Sequence, residues 1–385
     1  LVGATREARV LTARFWLANR VTVGSVDLLF RLASANVLSP AARTRFRHAG
    51  IGERQISETL RRVRGVRGVR GWSRSWTQAA SSYLEAAVAE QQRGRLDTAA
   101  CQQVAAALCY HFATMFELED VSQKRRLYRR AALLFRHAAP ALAPSAEYVE
   151  VPWRDTSLPG YLRLPDRSRE TLPLVVLLNG ASTAKEEMTL WSEPFLRRGL
   201  ATLALDTPGS GESWDRVHGR PDQQDIADAL IAFGDGDPRL DARRIGVLGI
   251  SLGGAAAVRL AGHNADLAAV VSVTAPFHPE PYFRHLNDIV RQEVALVAGY
   301  RPEQIDEMVR QVSLLEVAPR LRVPLLVVGA GRDLVVPPDE SPRLYRAAGG
   351  QKRLLFLDGA NHAGFSHMAE WTGAAADWLA ATVGA

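Results

Sequence analysis

Short apolar runs alternate with helix-forming stretches from residue 146 to the end of the chain. Runs of this length, bounded by turn residues and separated by helical segments, are typical of a mostly parallel sheet that helices cover on both faces. The first two runs lie close together and predict an antiparallel hairpin. We expect strands at residues 148–151, 161–164, 174–178, 201–206, 245–248, 268–273, 325–328 and 354–357, which makes this part of the chain an α/β fold.

A long segment, residues 274–324, interrupts this alternation between two of the expected strands. It is too long for a simple crossover, and its pattern predicts helices at residues 289–298 and 302–315. Long insertions of this kind in a compact domain are often functional. We therefore expect the insertion to contribute to a site.

The first part of the chain carries a helical pattern over residues 7–140. Apolar side chains recur there at spacings of three and four, as at Leu127, Ala131 and Leu134. Prolines are almost absent before Pro140 and Pro144, which then end the last helix. We predict two domains: an all-helical lid over residues 1–145 and an α/β catalytic domain over residues 146–385.

The distribution of charge supports this boundary. The chain has a net charge of +6, but residues 1–145 hold 23 Lys and Arg against 10 Asp and Glu, a balance of +13, which leaves −7 for the remainder. An arginine–glycine stretch at residues 62–72 raises nucleic-acid binding as an alternative. Because the repeat is short, has one aromatic residue and lies in no recognition fold, we interpret it as a solvated connection between helices.

Several classes of protein are disfavoured by what the sequence lacks. No run approaches the roughly 20 apolar residues of a membrane-spanning helix, and no secretory signal is recognisable, so we expect a cytoplasmic enzyme without a membrane partner. Cys101 and Cys109 lie roughly 12 Å apart on one expected helix, too far for a disulfide. No Cys/His cluster has metal-site spacing, so we expect neither metal nor cofactor. The expected partner is a small-molecule substrate, and a homodimer is one option for the assembly.

The stretch "LGISLGGAAAV" places Ser251 between an expected strand and an expected helix. The Gly-x-Ser-x-Gly pattern is weak by itself, but in a sharp strand-to-helix turn it lifts the hydroxyl above the sheet at a helix N-terminus. Gly249 and Gly253 would relieve the steric clash of that turn, and the helix N-terminus would favour a developing anion. The pattern predicts that Ser251 is a nucleophile.

A serine hydroxyl needs a base, and the base needs a carboxylate, in the chain order Ser, acid, His. Asp333 in "GAGRDLVVP" and His362 in "NHAGF" both follow expected strands, at the sheet edge where such folds place their sites. Asp339 and Asp358 are alternative acids, and His367 is an alternative base. We favour Asp333 and His362. Asp206, by contrast, is expected to organise its own turn.

An oxyanion formed by attack on a carbonyl requires two hydrogen-bond donors. The N–H of Leu252, directly after the nucleophile, is one candidate. The loop after the strand in "LVVLLNGAS" should supply the second, from Ala181, with Gly180 allowing a close approach of the backbone. Since both donors belong to the main chain, this assignment rests on geometry.

Several quoted segments resemble the α/β-hydrolase superfamily, and more narrowly the group of FrsA-type and 2,6-dihydroxypseudooxynicotine hydrolase-like proteins with an N-terminal helical lid. The sheet-domain segments that carry the resemblance are "NGASTAKEEM", "LALDTPGSGES", "GISLGG", "GAGRDLVVP" and "NHAGF". The helical segments are "ALCYHFATMFELED" and "KRRLYRRAALLFRHAAPAL", followed by "YVEVPWRDTSLPGYLRLP". The resemblance covers about residues 80–385. It implies that Ser251 is the nucleophile, Asp333 the acid and His362 the base.

The resemblance also implies further pocket residues. Resemblance to the 2,6-dihydroxypseudooxynicotine hydrolase type implies an additional acidic residue after the sixth strand, for which Glu280 is the nearest candidate. Asn179 stands where relatives commonly have glycine, so its amide either binds substrate or caps the loop. The remaining candidates either line the pocket or fill the core: Tyr110, His111, Trp191 and Phe277.

Taken together, the sequence predicts a serine hydrolase with a Ser251–His362–Asp333 triad. It would cleave a C–C bond next to a carbonyl, or an ester, in an aromatic or polyketide-like small molecule. One alternative is an acyltransferase or cyclase with the same triad. A second, of another class, is a non-catalytic binding protein on a hydrolase scaffold.

Overall fold

The computed structural model describes residues 40–63, 71–165, 171–217, 222–300 and 304–383. Most of the arginine–glycine stretch, residues 64–70, lies outside the described residues, as do the helices predicted before residue 40. The interpretation of that stretch as a connection between helices therefore stays a prediction.

Helices form the first part of the described chain. They bury a shared core that includes Phe46, Trp76 and Phe112, whose rings lie 4.6 to 5.4 Å apart in tilted and edge-on arrangements. Aromatic pairs at such distances add stability beyond the apolar area that they bury. The helices are α1 (Pro40–His48), α2 (Glu53–Val63), α3 (Trp72–Gln92), α4 (Leu96–Ala113) and α5 (Val121–Ala138).

An eight-stranded sheet forms the second part, and it contains a strand at each position that the apolar runs predict. Its order is β1-β2-β4-β3-β5-β6-β7-β8; β1 and β2 form the predicted antiparallel hairpin, and all pairs from β4 to β8 are parallel. The strands are β1 (Glu147–Trp153), β2 (Thr156–Arg163), β3 (Leu172–Leu178), β4 (Ala201–Leu205), β5 (Leu240–Ile250), β6 (Ala269–Val273), β7 (Leu325–Ala330) and β8 (Lys352–Leu357). This arrangement confirms the predicted α/β-hydrolase fold.

The strand β5 is longer than its apolar run. It begins at Leu240, which pairs with Leu172 across an irregular register, and its added residues include the ion pair between Arg244 and Asp241. Charged side chains at the start of the strand conceal it from an analysis of apolar runs. The strand nevertheless ends at Ile250, immediately before Ser251, as the motif requires.

Helices cover both faces of the sheet, and three of them belong to the insertion after β6. Of the two helices predicted in that insertion, the second is shorter than expected and spans Ile305–Gln311. The helices are α6 (Lys185–Thr189), α7 (Glu193–Leu196), α8 (Ile226–Gly236), α9 (Leu252–His263), α10 (Glu280–Phe283), α11 (Asp288–Ala298), α12 (Ile305–Gln311), α13 (Glu340–Ala347) and α14 (Met368–Val383).

The helical part contacts the sheet at β2 and the loop that follows β8. Phe135 on α5 contacts Tyr161 on β2, with 4.9 Å between ring centroids, and α1 contacts the short 3-10 helix His362–His367. The connection from α5 to β1 contains residue 145, where the sequence predicts a domain boundary. The division into two domains stays a prediction.

Candidate active site

Ser251 lies in the sharp turn between β5 and α9. Its backbone has φ +53° and ψ −120°, a conformation that residues other than glycine rarely adopt. The turn is so tight that a Cβ on Gly249 would lie 2.0 Å from the carbonyl oxygen of Gly253, and a Cβ on Gly253 would lie 2.4 Å from that of Leu178. The glycines of the motif are therefore sterically required, and the serine is presented at the N-terminus of α9.

His362 joins the serine to a carboxylate. Its Nε2 lies 3.0 Å from Ser251 Oγ, and its Nδ1 lies 2.7 Å from Asp333 Oδ2. The other oxygen of the buried Asp333 carboxylate accepts hydrogen bonds from the N–H groups of Val335 and Val336, at 2.8 and 2.9 Å. The Asp333 side chain is thus fixed by its own loop, and one oxygen remains for the imidazole.

The alternative acids and base do not join this arrangement. Asp339 precedes α13 and Asp358 follows β8, and both are exposed. His367 Nδ1 lies 2.9 Å from the hydroxyl of its neighbour Ser366. Within the described part of the chain, the side-chain hydrogen bonds of His362 go to Asp333 and Ser251.

Two main-chain donors lie next to the nucleophile. Across the residues that the structure describes, no protein group accepts a hydrogen bond from the N–H of Ala181 or of Leu252. Both residues follow the carboxyl end of a strand, Ala181 after β3 and Leu252 after β5, which are neighbours in the sheet. A Cβ on Gly180 would lie 3.3 Å from the Ser251 Cβ, so the two loops are in close contact. The geometry is compatible with an oxyanion site.

Asn179 ties the loop that contains Ala181 to the loop after β4. Its Nδ2 donates to the carbonyl oxygens of Gly180 and Thr183, both at 2.9 Å. Its Oδ1 accepts from the N–H of Thr207 at 2.9 Å and from the Ser210 hydroxyl at 3.1 Å. The amide therefore caps the loop, which is one of its two expected roles. Asn179 also lines a second, neighbouring cavity of about 90 Å³.

A cavity of about 190 Å³ opens in front of the serine. Its walls come from the loops that contain Ala181, Val335 and His362, from the turn at Ser251, from the residues that follow α4, and from the insertion helix α11. They are apolar except for a few groups, chiefly Ser251, His362 and Glu293. The lining residues are Met115, Phe116, Gly180, Ala181, Ser182, Thr183, Ile250, Ser251, Ile289, Val290, Glu293, Val294, Val335, His362, Ala363 and Phe365.

Tyr110 and His111 do not line this cavity. Tyr110 is buried in the helical core, with the Arg130 guanidinium 4.8 Å from its ring centroid. His111 is also buried, and its Nε2 lies 3.1 Å from Glu187 Oε2. Both side chains are therefore buried in the interior, which agrees with the interpretation that they fill the core and not with the one that they line the pocket.

Three further pocket candidates also lie elsewhere. Trp191 packs edge-on against Trp371 beneath the sheet, and Phe277 belongs to the core on the opposite face. Glu280 begins α10 and is exposed, so it does not face Ser251. Glu280 is thus not the additional acidic residue of the cavity, because its carboxylate on α10 is exposed to solvent.

The acidic residue that does face the cavity is Glu293, which sequence reasoning missed. Its Oε2 lies 2.6 Å from the ammonium nitrogen of Lys124, a fully buried lysine on α5. Buried lysines are rare unless paired, but only the packing of α5 against α11 reveals which of the charged residues are buried. The pair joins the helical part to the insertion at the wall of the cavity.

A second buried ion pair behind the site was also missed. Arg45 on α1 donates from Nε and Nη2 to the two oxygens of Glu187, both at 2.6 Å. Burial alone would raise the pKa of Glu187, but the charge and hydrogen bonds of Arg45, together with His111, outweigh it and lower the pKa to about 2. Glu187 is therefore a stable anion at neutral pH.

Asp206 organises its turn, as the sequence predicts. Its two oxygens accept hydrogen bonds from the N–H groups of Lys185 and Glu212, at 2.8 and 2.9 Å, and the Lys185 ammonium lies 2.9 Å from Oδ2. Burial raises the pKa of Asp206 to about 6 even though Lys185 opposes that shift. The cluster does not contribute to the cavity next to Ser251.

The described ranges contain neither a metal-binding cluster nor a membrane-spanning helix. No group of three or more His, Cys, Asp or Glu side chains there is arranged to hold a metal ion. None of the helices described combines the length and apolar character needed to cross a bilayer.

Two family models match overlapping parts of the chain. Residues 43–285 match the family described as "Esterase FrsA-like", and residues 187–385 match the prolyl oligopeptidase family. The "2,6-dihydropseudooxynicotine hydrolase" of Paenarthrobacter nicotinovorans is 32% identical over 204 residues, 52% of this chain and 54% of that protein. "Esterase FrsA" of Vibrio cholerae serotype O1 is 28% identical over 229 residues, 58% and 53% of the two chains.

A solved structure extends the likeness in fold. The crystal structure titled "2,6-dihydroxy-pseudo-oxynicotine Hydrolase" matches with a TM-score of 0.79 at 23% identity, covering 89% of this chain and 95% of that one. At this identity the match shows the fold alone. In sequence, the chain spans about half the length of the curated relatives that it matches.

Proposed function

The chain belongs to the FrsA-like esterase family, and from that premise we propose that it is a serine hydrolase that acts on a carbonyl group of an aromatic or polyketide-like small molecule. The bond cleaved would be a C–C bond next to the carbonyl, or an ester bond. The observation that carries this proposal is the continuous hydrogen-bonded line from Ser251 Oγ through His362 to Asp333, with distances of 3.0 and 2.7 Å.

The geometry supports a role for each group. Ser251 Oγ would attack the carbonyl carbon while His362 Nε2 accepts the hydroxyl proton and then donates it to the leaving atom. Asp333 would hold the Nδ1 proton and so keep the imidazole in the required tautomer. The N–H groups of Ala181 and Leu252 would stabilise the oxyanion, each donor contributing about 3 kcal/mol in comparable sites. Water, activated by His362, would then release the acyl group.

The walls of the cavity favour an apolar, ring-containing substrate. Met115, Phe116, Val290 and Phe365 present apolar surface, and polarizable and aromatic side chains pack well against rings. The two related hydrolases have names that agree with a small organic substrate or an ester. If the bond cleaved is C–C, the leaving carbanion must be stabilised as an enol or a phenol.

The test of the proposal is covalent labelling followed by product analysis. A fluorophosphonate should form an adduct on Ser251, with loss of fluoride, and Ser251→Ala should abolish it. Wild-type protein is then incubated with matched aryl esters and aryl β-diketones, and the products are identified by mass spectrometry. Hydrolysis of either class supports the proposal. Folded wild-type protein without an adduct and without turnover would contradict it and favour a binding protein on the same scaffold.

A further inference from the structure

The loop that contains Ala181 is held from behind by a residue of the helical part. Arg45 Nη2 donates to the carbonyl oxygen of Ser182 at 2.7 Å, and the same guanidinium is bound by both oxygens of Glu187. All three side chains of the Arg45–Glu187–His111 group are buried. A planar guanidinium held at two oxygens has a defined orientation, so its remaining N–H points in a fixed direction.

Arg45 also touches the loop of the base. Its guanidinium carbon lies 4.9 Å from the ring centroid of Phe365, which follows His362 in the short 3-10 helix and lines the cavity. One side chain from α1 therefore contacts both loops that bring groups to Ser251. The contact spans 142 positions of sequence from Arg45 to Glu187.

We propose that Arg45 is a positioning residue for the oxyanion site: it anchors the Ser182 carbonyl and thereby restrains the loop that carries the Ala181 N–H, which lies two peptide units earlier. Asn179 donates to the carbonyl oxygens of Gly180 and Thr183, and so holds the Gly180–Ala181 peptide on one side of the loop. Arg45 adds a restraint on the far side, at the Ser182 carbonyl. This inference rests on the proposed function. It gives the helical part a role in the chemical step in addition to enclosing the substrate.

The physical basis is the steep dependence of catalysis on the position of the donor. Removal of one oxyanion donor lowers kcat by about 10²–10³-fold, and a displacement of about 1 Å lowers the rate by about 10²-fold. Ground-state binding depends much less on that donor, because the charge it stabilises appears only in the transition state. Loss of the Arg45 anchor should therefore reduce kcat and leave KM nearly unchanged.

The variants for the test are Arg45→Lys, which keeps the charge without the planar fork, and the double variant Arg45→Met/Glu187→Met. Since replacing a buried ion pair by apolar residues is often neutral for stability, the double variant should fold. Ile56→Ala is the matched control: it opens a cavity in the same helical core, on α2, which packs chiefly against α1 and α3. Aryl-ester kinetics, Tm and inhibition by an aryl trifluoromethyl ketone are measured for each.

For both Arg45 variants we expect kcat to fall by about 10²-fold with KM within about threefold of wild type. Inhibition by the ketone, which forms an oxyanion on Ser251, should weaken by the same factor as kcat/KM. Ile56→Ala should lower Tm and leave kcat unchanged. Unchanged kcat and ketone inhibition in folded Arg45 variants, or an equal loss of kcat in Ile56→Ala, would overturn the inference alone. Folded wild-type protein that takes no fluorophosphonate label and turns over neither substrate class would overturn the proposed function as well.

Discussion

The two sides of the cavity are built by different means. On the sheet side, Ser251 and His362 are placed by main-chain geometry: each lies in a loop at the carboxyl end of a strand, and glycines permit the close approach. On the helical side, Met115 and Phe116 are placed by helix packing, and two buried ion pairs connect that packing to the site. The groups next to Ser251 are therefore positioned by features of short segments, whereas the helical wall of the cavity and the contacts that support it depend on packing between distant segments.

The largest effect should come from the base on the sheet side. His362→Ala removes the proton acceptor, and we expect kcat/KM for an aryl ester to fall by about 10⁴-fold or more. His367→Ala, five positions on in the same 3-10 helix, is the control and should retain most of the activity. If His367→Ala were the inactive variant, the base would have been assigned to the wrong histidine.

The next effect concerns the stability of the helical side. Lys124→Met leaves the Glu293 carboxylate without its partner at a mostly apolar wall, and we expect a loss of about 3–5 kcal/mol in the free energy of unfolding. Urea denaturation measures it. Arg54→Met removes one partner of the exposed Arg54–Glu58 pair and should change stability by less than about 1 kcal/mol. Equal losses in the two variants would mean that the buried Lys124–Glu293 pair stabilises the fold no more than an exposed ion pair does.

Acid should weaken the other ion pair. Because the pKa of Glu187 in the folded protein is about 2, below its ordinary value of 4.5, its contribution is complete above about pH 4.5 and is lost as the pH falls towards 2. The shift corresponds to about 3 kcal/mol. The difference in unfolding free energy between wild type and Glu187→Gln should be smaller at pH 3 than at pH 5. If the unfolding free energies of the two proteins changed in parallel with pH, the lowered pKa of Glu187 would be contradicted.

The smallest effect should be on substrate affinity. Phe116→Leu replaces an aromatic wall of the cavity, and we expect KM for an aryl ester to rise by about 3–10-fold, which is the size of an aromatic contact, with kcat within about twofold. Steady-state kinetics on aryl and alkyl esters of equal length measure the change, which should be smaller for the alkyl ester. A fall in kcat at constant KM would place Phe116 with the catalytic groups. It would contradict the view that this part of the helical wall acts on substrate affinity.

The predictions made from the sequence succeeded where the signal was local. Each apolar run forms a strand. The glycines around Ser251 are required because a Cβ at Gly249 or Gly253 would lie only 2.0 or 2.4 Å from a carbonyl oxygen. The pocket candidates fared differently, because Tyr110 and Trp191 have the same residue types whether they line a cavity or fill a core. Residue type indicates that a side chain will be buried, but not which neighbour will bury it.

The sequence by itself determined the α/β fold and a short set of candidate groups, since strand periodicity, turn glycines and the order of Ser251, Asp333 and His362 are all properties of short segments. Only the tertiary structure decided which charged residues belong to the site. Lys124 and Glu293 are 169 positions apart, and Arg45 is one of many arginines in the chain. Such pairs form only when particular helices pack, because a buried charge is tolerated only where packing brings compensating groups within hydrogen-bond distance.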